Sequence, residues 1–119
     1  MQISELSART GVSTHRLRRY ESLGLISSSR QANGYRNFSD DMVKSVVFID
    51  MSREIGFSLD EIAELIPRYK ARTLTAKEMI DAMTRKVAEI DQCIAAKQLH
   101  RRKLIDHIEW FKSRKRRPK

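Results

Sequence analysis

The sequence predicts a mainly α-helical fold that contains one small β-hairpin and ends in a long helix. Three features support this prediction: a Thr10-Gly11-Val12 break between two short helical segments, an Asn33-Gly34 pair, and the absence of glycine and proline from Arg68 through Arg117. Glycine permits tight turns, Asn-Gly is a strong hairpin signal, and a segment without helix breakers favours one continuous helix. We therefore expect four short helices and a hairpin, followed by the long helix.

The first two helices are predicted over residues 3–9 and 14–22, with Gly11 in the turn between them. Ser13 is a good N-cap for the second helix because its hydroxyl can accept a hydrogen bond from a free amide, and Gly24 is expected to end that helix. Two short helices joined by a glycine-containing turn form a candidate helix-turn-helix motif.

The second helix is cationic and aromatic on its predicted surface. Leu17 is expected to face the core, and the other side chains to face outward. The outward residues are Thr14, His15, Arg16, Arg18, Arg19 and Tyr20. Guanidinium groups suit guanine edges and phosphates, and a phenol suits phosphate oxygens, so the pattern favours a helix that enters the major groove. A solvated basic helix face is the alternative.

Residues 25–38 are predicted to form a two-stranded wing. Asn33-Gly34 marks its turn because both residues tolerate positive φ. Arg30, Tyr35 and Arg36 would lie near the tip, where they can contact the DNA backbone beside the second helix. The alternative is an ordinary hairpin with solvent-exposed arginines.

A third helix is predicted over residues 41–54. Its buried stripe is expected to consist of Val43, Val46, Val47 and Met51. Arg53 lies near the end of this helix and offers a second phosphate contact, although it could instead pair with Asp50 or Glu54.

The fourth helix is predicted to follow a capping box formed by Ser58 and Glu61. Its apolar face is expected to consist of Leu59, Ile62, Leu65 and Ile66. Pro67 is expected to end the helix, because proline lacks a backbone donor and clashes with the preceding turn. The four helices and the wing are expected to form one domain over residues 1–70.

A long helix is predicted over residues 75–112, with Thr75 and Glu78 in a further capping box. Apolar residues follow at alternating spacings of three and four, which is typical of a coiled-coil seam. The seam residues are Ile80, Met83, Val87, Ile90 and Ile94. Lys97 and Arg101 occupy the next seam positions and interrupt that register. A second, shifted stripe is suggested by Leu99, Leu104, Ile105, Ile108 and Phe111.

The length of this helix predicts a partner. An unbroken helix over residues 75–112 would extend about 55 Å, whereas a compact chain of this size has a radius of gyration of about 14 Å. Its apolar seam must therefore pack on another chain. We expect a homodimer, because closed two-fold pairing is the commonest arrangement.

The formal net charge of +9 is concentrated at the two ends of the chain. Residues 1–40 carry +3, residues 41–111 are neutral overall, and residues 112–119 carry +6. Such an excess favours a polyanionic partner, either nucleic acid or an acidic membrane surface. The basic tail over residues 113–119 lacks a clear amphipathic anchor, so we do not expect a membrane partner.

The composition disfavours several other classes of protein. Cys93 is the single cysteine, which excludes an internal disulfide framework and fits a reducing cytosol. No apolar stretch has the roughly 18 residues of a membrane span, and the first residues lack the pattern of a secretion signal. No nucleophile lies beside a base and no glycine-rich phosphate loop follows a strand, so neither catalysis nor a cofactor is expected. We expect a soluble cytoplasmic protein associated with the nucleoid.

Several of these segments, in the same order, resemble the MerR family of bacterial transcription regulators. The segments are Ile3-Ser4-Glu5-Leu6-Ser7, Gly11-Val12-Ser13, Leu17-Arg18-Arg19-Tyr20-Glu21, Gly24-Leu25-Ile26, Arg30, Asn33-Gly34-Tyr35-Arg36 and Ile55-Gly56-Phe57-Ser58-Leu59-Asp60-Glu61-Ile62. The similarity covers residues 1–66 closely and residues 75–105 by pattern only.

The resemblance implies a winged helix-turn-helix domain and a long helix that pairs antiparallel in a homodimer. It also implies that the dimer binds a promoter whose spacer is too long, bends and untwists that DNA, and so acts on RNA polymerase indirectly. Such proteins often repress transcription until an effector arrives. The implied DNA contacts are Arg18, Tyr20, Tyr35, Arg36 and Arg53. We infer that Thr14, His15 and Arg16 supply sequence preference.

Cys93 is the candidate effector residue. Metal-responsive members of the resembled family use paired cysteines, and one thiol cannot chelate a soft ion alone. Pairing with His100 or His107 across a dimer and reaction with an electrophile are alternatives; the simpler interpretation is a small apolar side chain beside Ile94. Two other functions remain open: a nucleoid-type DNA binder without sequence preference, and an adaptor that recruits a different protein through the long helix.

Overall fold

The computed structural model describes residues 1–116 and confirms a mainly helical fold with one hairpin. Its elements are α1 (Ile3–Thr10), α2 (Thr14–Ser22), β1 (Ser29–Arg30), β2 (Arg36–Asn37), α3 (Asp41–Glu54), α4 (Leu59–Lys70) and α5 (Ala76–Arg116). The chain divides into two compact units, Met1–Ala76 and the residues from Lys77 onward. None of the helices within the described range is long and apolar enough to cross a membrane. Residues 117–119 of the predicted basic tail lie outside the described residues.

The core of the first unit is built by side chains from all of its helices and from the base of the hairpin. The buried residues are Leu6, Val12, Leu17, Tyr20, Leu25, Ile26, Phe38, Val46, Phe48, Ile49, Phe57, Ile62 and Ile66. Helix α3 is central because it packs on both α1 and α4. Phe48 of α3 stacks on Tyr69 of α4 with 4.2 Å between ring centroids. Burial of a large apolar side chain stabilises the fold by about 1.5–3 kcal/mol.

The turn between α1 and α2 forms as predicted. Gly11 has φ 75° and its backbone N–H donates to the carbonyl of Ser7, which closes the end of α1. The hydroxyl of Ser13 accepts a hydrogen bond of 3.2 Å from the backbone N–H of Arg16, as expected of an N-cap. Local signals therefore determine the geometry of the helix-turn-helix motif.

Helices α2, α3 and α4 end in the same backbone arrangement, a Schellman motif. In α2, the N–H of Leu25 donates to the carbonyl of Tyr20 and the N–H of Gly24 to that of Glu21. Gly56 and Arg72 occupy the positions equivalent to Gly24 at the ends of α3 and α4. The chain thus leaves three successive helices through a residue with positive φ.

The prediction that Pro67 ends α4 is wrong. Helix α4 continues to Lys70 with Pro67 inside it. The lost backbone hydrogen bond is offset by the Schellman motif, in which the N–H of Thr73 donates to the carbonyl of Arg68. Tyr69 also packs against α3 and requires that last turn. The predicted capping box at the start of α4 is confirmed.

The predicted buried stripe of α3 is only partly right. Val46 is buried and Val43 is half-buried, but Val47 and Met51 are 47% and 48% exposed. The buried residues of this helix are Ser45, Val46, Phe48, Ile49 and Ser52. Because two serines lie on the core side, apolar character alone does not identify that face. Helix α3 consequently presents an apolar strip to solvent.

The wing is a short antiparallel hairpin in which Arg30 pairs with Arg36. Its turn differs from the predicted one. The backbone N–H of Gly34 donates to the carbonyl of Gln31, and Gly34 has positive φ whereas Asn33 does not. Asn33 instead accepts a hydrogen bond of 3.1 Å from the N–H of Tyr35 through its side chain. The Asn-Gly pair thus marks the turn but does not form its two-residue type.

Helix α5 is continuous over 41 residues, which corresponds to a length of about 60 Å. The predicted seam residues are exposed on it: Ile80, Met83, Val87, Ile90 and Ile94. Further large apolar residues are exposed toward its end: Leu99, Leu104, Ile105, Ile108, Trp110 and Phe111. Exposed apolar surface of this extent is typical of a protein interface.

Candidate nucleic-acid interface

The outer surface of α2 carries cationic side chains that are available for a ligand. His15, Arg18 and Arg19 are exposed, and Thr14 is half-buried. Within the described part of the chain, no hydrogen bond or ion pair occupies the side chains of His15, Arg18 and Arg19. Guanidinium groups without internal partners are well suited to phosphate oxygens.

Arg16 of the same helix differs because it is held by two neighbours. Its Nη2 donates a hydrogen bond of 3.0 Å to the hydroxyl of Tyr20 and also pairs with the carboxylate of Asp50 in α3. Its guanidinium carbon lies 5.9 Å from the centroid of the Tyr20 ring. The hydrogen bond to Tyr20, together with the charge of Asp50, raises the pKa of Arg16 above its ordinary value, although partial burial opposes this.

The prediction that α2 presents Tyr20 on its surface is wrong. Tyr20 is 3% exposed and lies in the core with Leu17. The two residues are three positions apart, so they share one helix face, and the aromatic ring follows the leucine inward. The hydroxyl of Tyr20 reaches Arg16, so the tyrosine connects the core to the cationic surface.

The three wing residues singled out from the sequence have different environments. Tyr35 is 59% exposed at the tip. Arg30 donates 2.9 Å through Nη1 to the carbonyl of Gly34 and so supports the turn. Arg36 pairs through Nε with Glu21 of α2 at 2.9 Å. Two of the three residues therefore shape the wing and fix it to α2, and both remain partly accessible.

The base of the wing is anchored from two sides. The amino group of Met1 donates to Oδ1 of Asn37 at 2.8 Å and to the carbonyl of Phe38 at 2.7 Å. The N–H of Phe38 returns a hydrogen bond to the carbonyl of Met1. On the other side, Nζ of Lys70 donates 3.0 Å to the carbonyl of Leu25. These anchors hold the hairpin beside the helix-turn-helix motif.

Arg53 supports the turn between α3 and α4. Its Nη1 donates 3.2 Å to the carbonyl of Phe57. Asp50 and Glu54 are the partners of Arg53 that the sequence suggests, but Asp50 pairs with Arg16 instead. Arg16, Asp50, Arg53 and Glu54 together line a shallow surface pocket beside α2.

Two ion pairs of this surface are not predictable from the sequence, Arg16 with Asp50 and Arg36 with Glu21. The members of these pairs are 34 and 15 residues apart in the chain, and no local spacing rule connects residues at such separations. Only the packing of α2 against α3 and the wing brings the charges together.

The candidate effector residue lies on α5. Cys93 is a free, exposed thiol. Among residues 1–116, no group of three or more His, Cys, Asp or Glu side chains is placed to hold a metal ion.

Comparison with known proteins identifies the family. Residues 1–69 match the family described as MerR HTH family regulatory protein, and residues 43–107 match the family described as MerR, DNA binding. The chain is 36% identical over 99 residues to the HTH-type transcriptional regulator HmrR of Sinorhizobium medicae (strain WSM419), a match that covers 82% of this chain and 67% of that protein. It is 34% identical over 99 residues to the heavy metal-dependent transcription regulator 2 of Rhizobium meliloti (strain 1021), with the same coverage.

Two solved structures share the fold. The lead(II) complex of PbrR691 from Ralstonia metallidurans CH34 matches with a TM-score of 0.75 and 24% identity, over 89% of this chain and 83% of that one. HiNmlR, a MerR family regulator bound to promoter DNA, matches with a TM-score of 0.61 and 20% identity, over 84% of this chain and 76% of that one. The sequence matches and the helix-turn-helix surface agree. The chain belongs to the MerR family and is a DNA-binding transcription regulator.

Proposed function

We propose that two copies of this chain bind one two-fold symmetric promoter site and regulate its transcription by bending and untwisting the DNA between the promoter elements. RNA polymerase then responds to the altered DNA. The observation that carries this proposal is the combination, in one chain, of a cationic helix-turn-helix with a 41-residue helix whose apolar seam is exposed. Helix-turn-helix dimers bind half-sites about one helical turn of DNA apart, so pairing and DNA recognition support each other.

In this proposal the residues of the cationic surface have two roles. Thr14, His15 and Arg16 lie in the first turn of α2, the part of a recognition helix that contacts base edges. Tyr20 acts through Arg16. The backbone contacts are assigned to Arg18, Arg19, Arg30, Tyr35, Arg36 and Arg53.

Dimerisation is assigned to α5. The residues proposed to be buried between two copies are Ile80, Met83, Val87, Ile90 and Ile94. Residues 1–70 would then serve DNA binding and residues 75–112 dimerisation, with residues 113–119 as an additional basic segment. The proposal places the dimer on the nucleoid in the cytoplasm and assigns it neither a catalytic step nor a cofactor.

The response to an effector is proposed to differ from chelation by a cysteine pair. The Rhizobium meliloti relative is named for a heavy-metal dependence. Within these 119 residues Cys93 is the only thiol, and one thiol cannot chelate a soft metal ion alone. We assign Cys93 to the α5 interface as a small apolar side chain. Cys93→Ser should therefore still sediment with the mass of a dimer and bind DNA within about twofold of the parent affinity. Dissociation to monomers, or a larger loss of affinity, would contradict the assignment.

The test of the proposed function is footprinting on DNA selected by the protein from a random library and then placed in a promoter. We expect protection of one two-fold site between the promoter elements, with hyperreactive base pairs at its centre. Equal affinity for all sequences would instead support a nucleoid-type binder. Sedimentation separates the third possibility, because a chain that stays monomeric alone and pairs only with a different protein would be an adaptor.

A further inference from the structure

A cleft of about 620 Å³ opens in the first unit, between the start of α3 and the end of α4. Its volume lies within the range of about 300–1,000 Å³ that is typical of sites for small molecules. In the described part of the chain, none of the side chains that we propose to contact DNA lines it. From Ser45 in the cleft to Arg53, the nearest of those residues on α3, the helix rises about 12 Å.

The cleft is cationic. Lys44, Lys70 and Arg72 line it together with a single carboxylate, that of Asp41, so three positive charges face one negative charge. Within the described residues, the side chains of Lys44 and Arg72 make neither a hydrogen bond nor an ion pair. Lys70 donates one N–H to the carbonyl of Leu25 at 3.0 Å, and its ammonium group has two further donors. The cleft thus offers cationic donors to a ligand.

A buried hydroxyl group without a partner also lines the cleft. Ser45 is 3% exposed, and its side chain makes no hydrogen bond within the described residues. A hydroxyl inside a helix can donate to the carbonyl four residues earlier, as those of Thr10 and Thr84 do, but the hydroxyl of Ser45 does not. An unpaired buried hydroxyl destabilises a fold, and an acceptor bound in the cleft would satisfy this one.

Arg72 carries one of the cations at a backbone position that favours glycine. Its φ is 59°, and the equivalent positions after α2 and α3 are Gly24 and Gly56. Backbone strain of this kind is found mostly at functional sites. The side chain that the chain gains at this position is one that lines the cleft.

The donors of the cleft suit a phosphate group. They come from two directions, because Lys44 and Ser45 belong to α3 whereas Tyr69, Lys70 and Arg72 lie at the end of α4. A phosphate monoester carries about −1.5 to −2 charges and three strong acceptor oxygens, so it requires several donors and more than one cation. The start of α3 adds the positive end of a helix dipole. The cleft is larger than a phosphate ion requires, so we expect the phosphate to belong to a larger polar molecule.

We propose that this cleft binds a small phosphate monoester, whose phosphate is held by Lys44, Lys70, Arg72 and the hydroxyl of Ser45. The DNA backbone offers the same phosphate chemistry, but a duplex presents it on a convex surface and the cleft is concave. The inference does not rest on the contacts assigned to α2 and the wing, because it uses other residues. Failure of the proposed promoter function would therefore leave it standing.

The test is a titration of the full chain with phenyl phosphate, followed by calorimetry and by the amide NMR shifts of residues 41–45 and 69–72. Phenol and sodium chloride of equal ionic strength are the control titrations. We expect saturable binding of one phenyl phosphate per chain, with the largest shift changes in those two segments. Binding that does not saturate, shift changes centred elsewhere, or equal binding of phenol would overturn the inference.

Two pairs of variants locate the site. Arg72→Gly should weaken the binding of phenyl phosphate by about tenfold, whereas Arg18→Ala should leave it unchanged. Unfolding does not explain such a loss, because glycine relieves the strained backbone at position 72. Ser45→Ala should weaken binding by about fivefold, whereas Ser52→Ala removes a hydroxyl that is enclosed in the core and should have no effect. An unchanged affinity in Arg72→Gly, or equal losses in the two members of a pair, would overturn the inference.

A further measurement distinguishes a small molecule from the DNA backbone as the occupant of the cleft. Arg72→Gly should leave the slope of log K for DNA against log salt unchanged, because Arg72 is not expected to contact the duplex. A slope reduced by about 0.9, the value for one phosphate contact, would assign the cleft to DNA and overturn the inference.

Discussion

Arg72 has φ 59°, the only positive φ of a non-glycine residue in the described chain. It stands where α2 and α3 have Gly24 and Gly56, and its N–H closes the end of α4 by donating to the carbonyl of Tyr69. A side chain at such a position strains the backbone by roughly 1–2 kcal/mol, although glycine also increases the entropy of the unfolded chain.

Arg72→Gly is therefore expected to raise the free energy of unfolding by about 0.5 kcal/mol, the difference between the released strain and the added entropy. Urea denaturation of both proteins measures this change. Ala71→Gly is the matched control, because Ala71 has φ −78° and should lose stability on the same substitution. A lower stability of Arg72→Gly than of the parent protein would contradict the prediction.

Arg18 has no internal partner in the described chain, so it represents the contacts that supply affinity without selecting a sequence. Arg18→Ala should weaken binding to the selected site and to random DNA by the same factor. The slope of log K against log salt should fall by about 0.9, the value for one phosphate contact. Arg9→Ala removes an arginine of α1 that pairs with Asp40, and it should leave the slope unchanged. A change of base preference in Arg18→Ala would refute this role.

At the scale of the elements, the parts that were predictable are those whose determinants lie close together in the chain. The Ser13 cap, the Gly11 turn and the Ser58–Glu61 capping box involve residues at most four positions apart. The end of α4 was not predictable, because tertiary packing of Tyr69 on Phe48 supports a turn that Pro67 opposes.

The candidate site was predictable in composition and less so in geometry. Its arginines and the wing tyrosine are recognisable from residue type. The inward position of Tyr20 follows from its spacing of three residues from the buried Leu17. The suitability of a phenol for phosphate favours the opposite prediction, in which Tyr20 lies on the surface. The pairing of Arg16 with Asp50 depends on two helices meeting, so no segment of the sequence contains the information by itself.

The seam of α5 continues in one register along the helix. The spacing of three and four that ends at Ile94 passes through Lys97 and Arg101 and then reaches Leu104, Ile108 and Phe111. The shifted second stripe, which also includes Leu99 and Ile105, stays the alternative prediction. Two cations interrupt an otherwise apolar seam, and such polar seam residues specify pairing at a cost in stability.

The charge along α5 favours antiparallel pairing. Residues 76–96 carry −1 and residues 97–116 carry +6. A parallel pair would place Lys97 and Arg101 beside their own copies, whereas an antiparallel pair places the cationic half opposite the weakly acidic one.

Replacing both seam cations by leucine, Lys97→Leu with Arg101→Leu, should raise the thermal stability of the dimer and produce additional oligomers or pairings. Sedimentation equilibrium and thermal melting measure the two effects. Arg102→Leu is the control, because Arg102 lies off the seam and should change neither quantity. A double variant that remains a dimer of unchanged stability would show that Lys97 and Arg101 do not face the partner.

At the scale of the whole molecule, we expect only part of the +9 charge to contribute to the choice of DNA sequence. The cationic surface of α2 and the wing lies within residues 1–40, whose net charge is only +3. Truncation after Lys112 removes five basic residues. It should reduce the salt dependence of DNA binding and preserve the selected site. Binding-site selection with the truncated chain provides the measurement, and a different preferred sequence would show that the tail reads bases.

The amino group of Met1 is one of the anchors at the base of the wing. Met1 donates from its charged amino group to Asn37 and Phe38 at the base of the wing, at 2.8 and 2.7 Å. Acetylation, or a purification tag joined at this end, replaces the ammonium group by an amide with a single N–H and no charge. Such a group cannot satisfy both acceptors as the ammonium does. The base of the hairpin that we propose to contact DNA is thus coupled to the covalent state of an amino group 36 positions away in the chain.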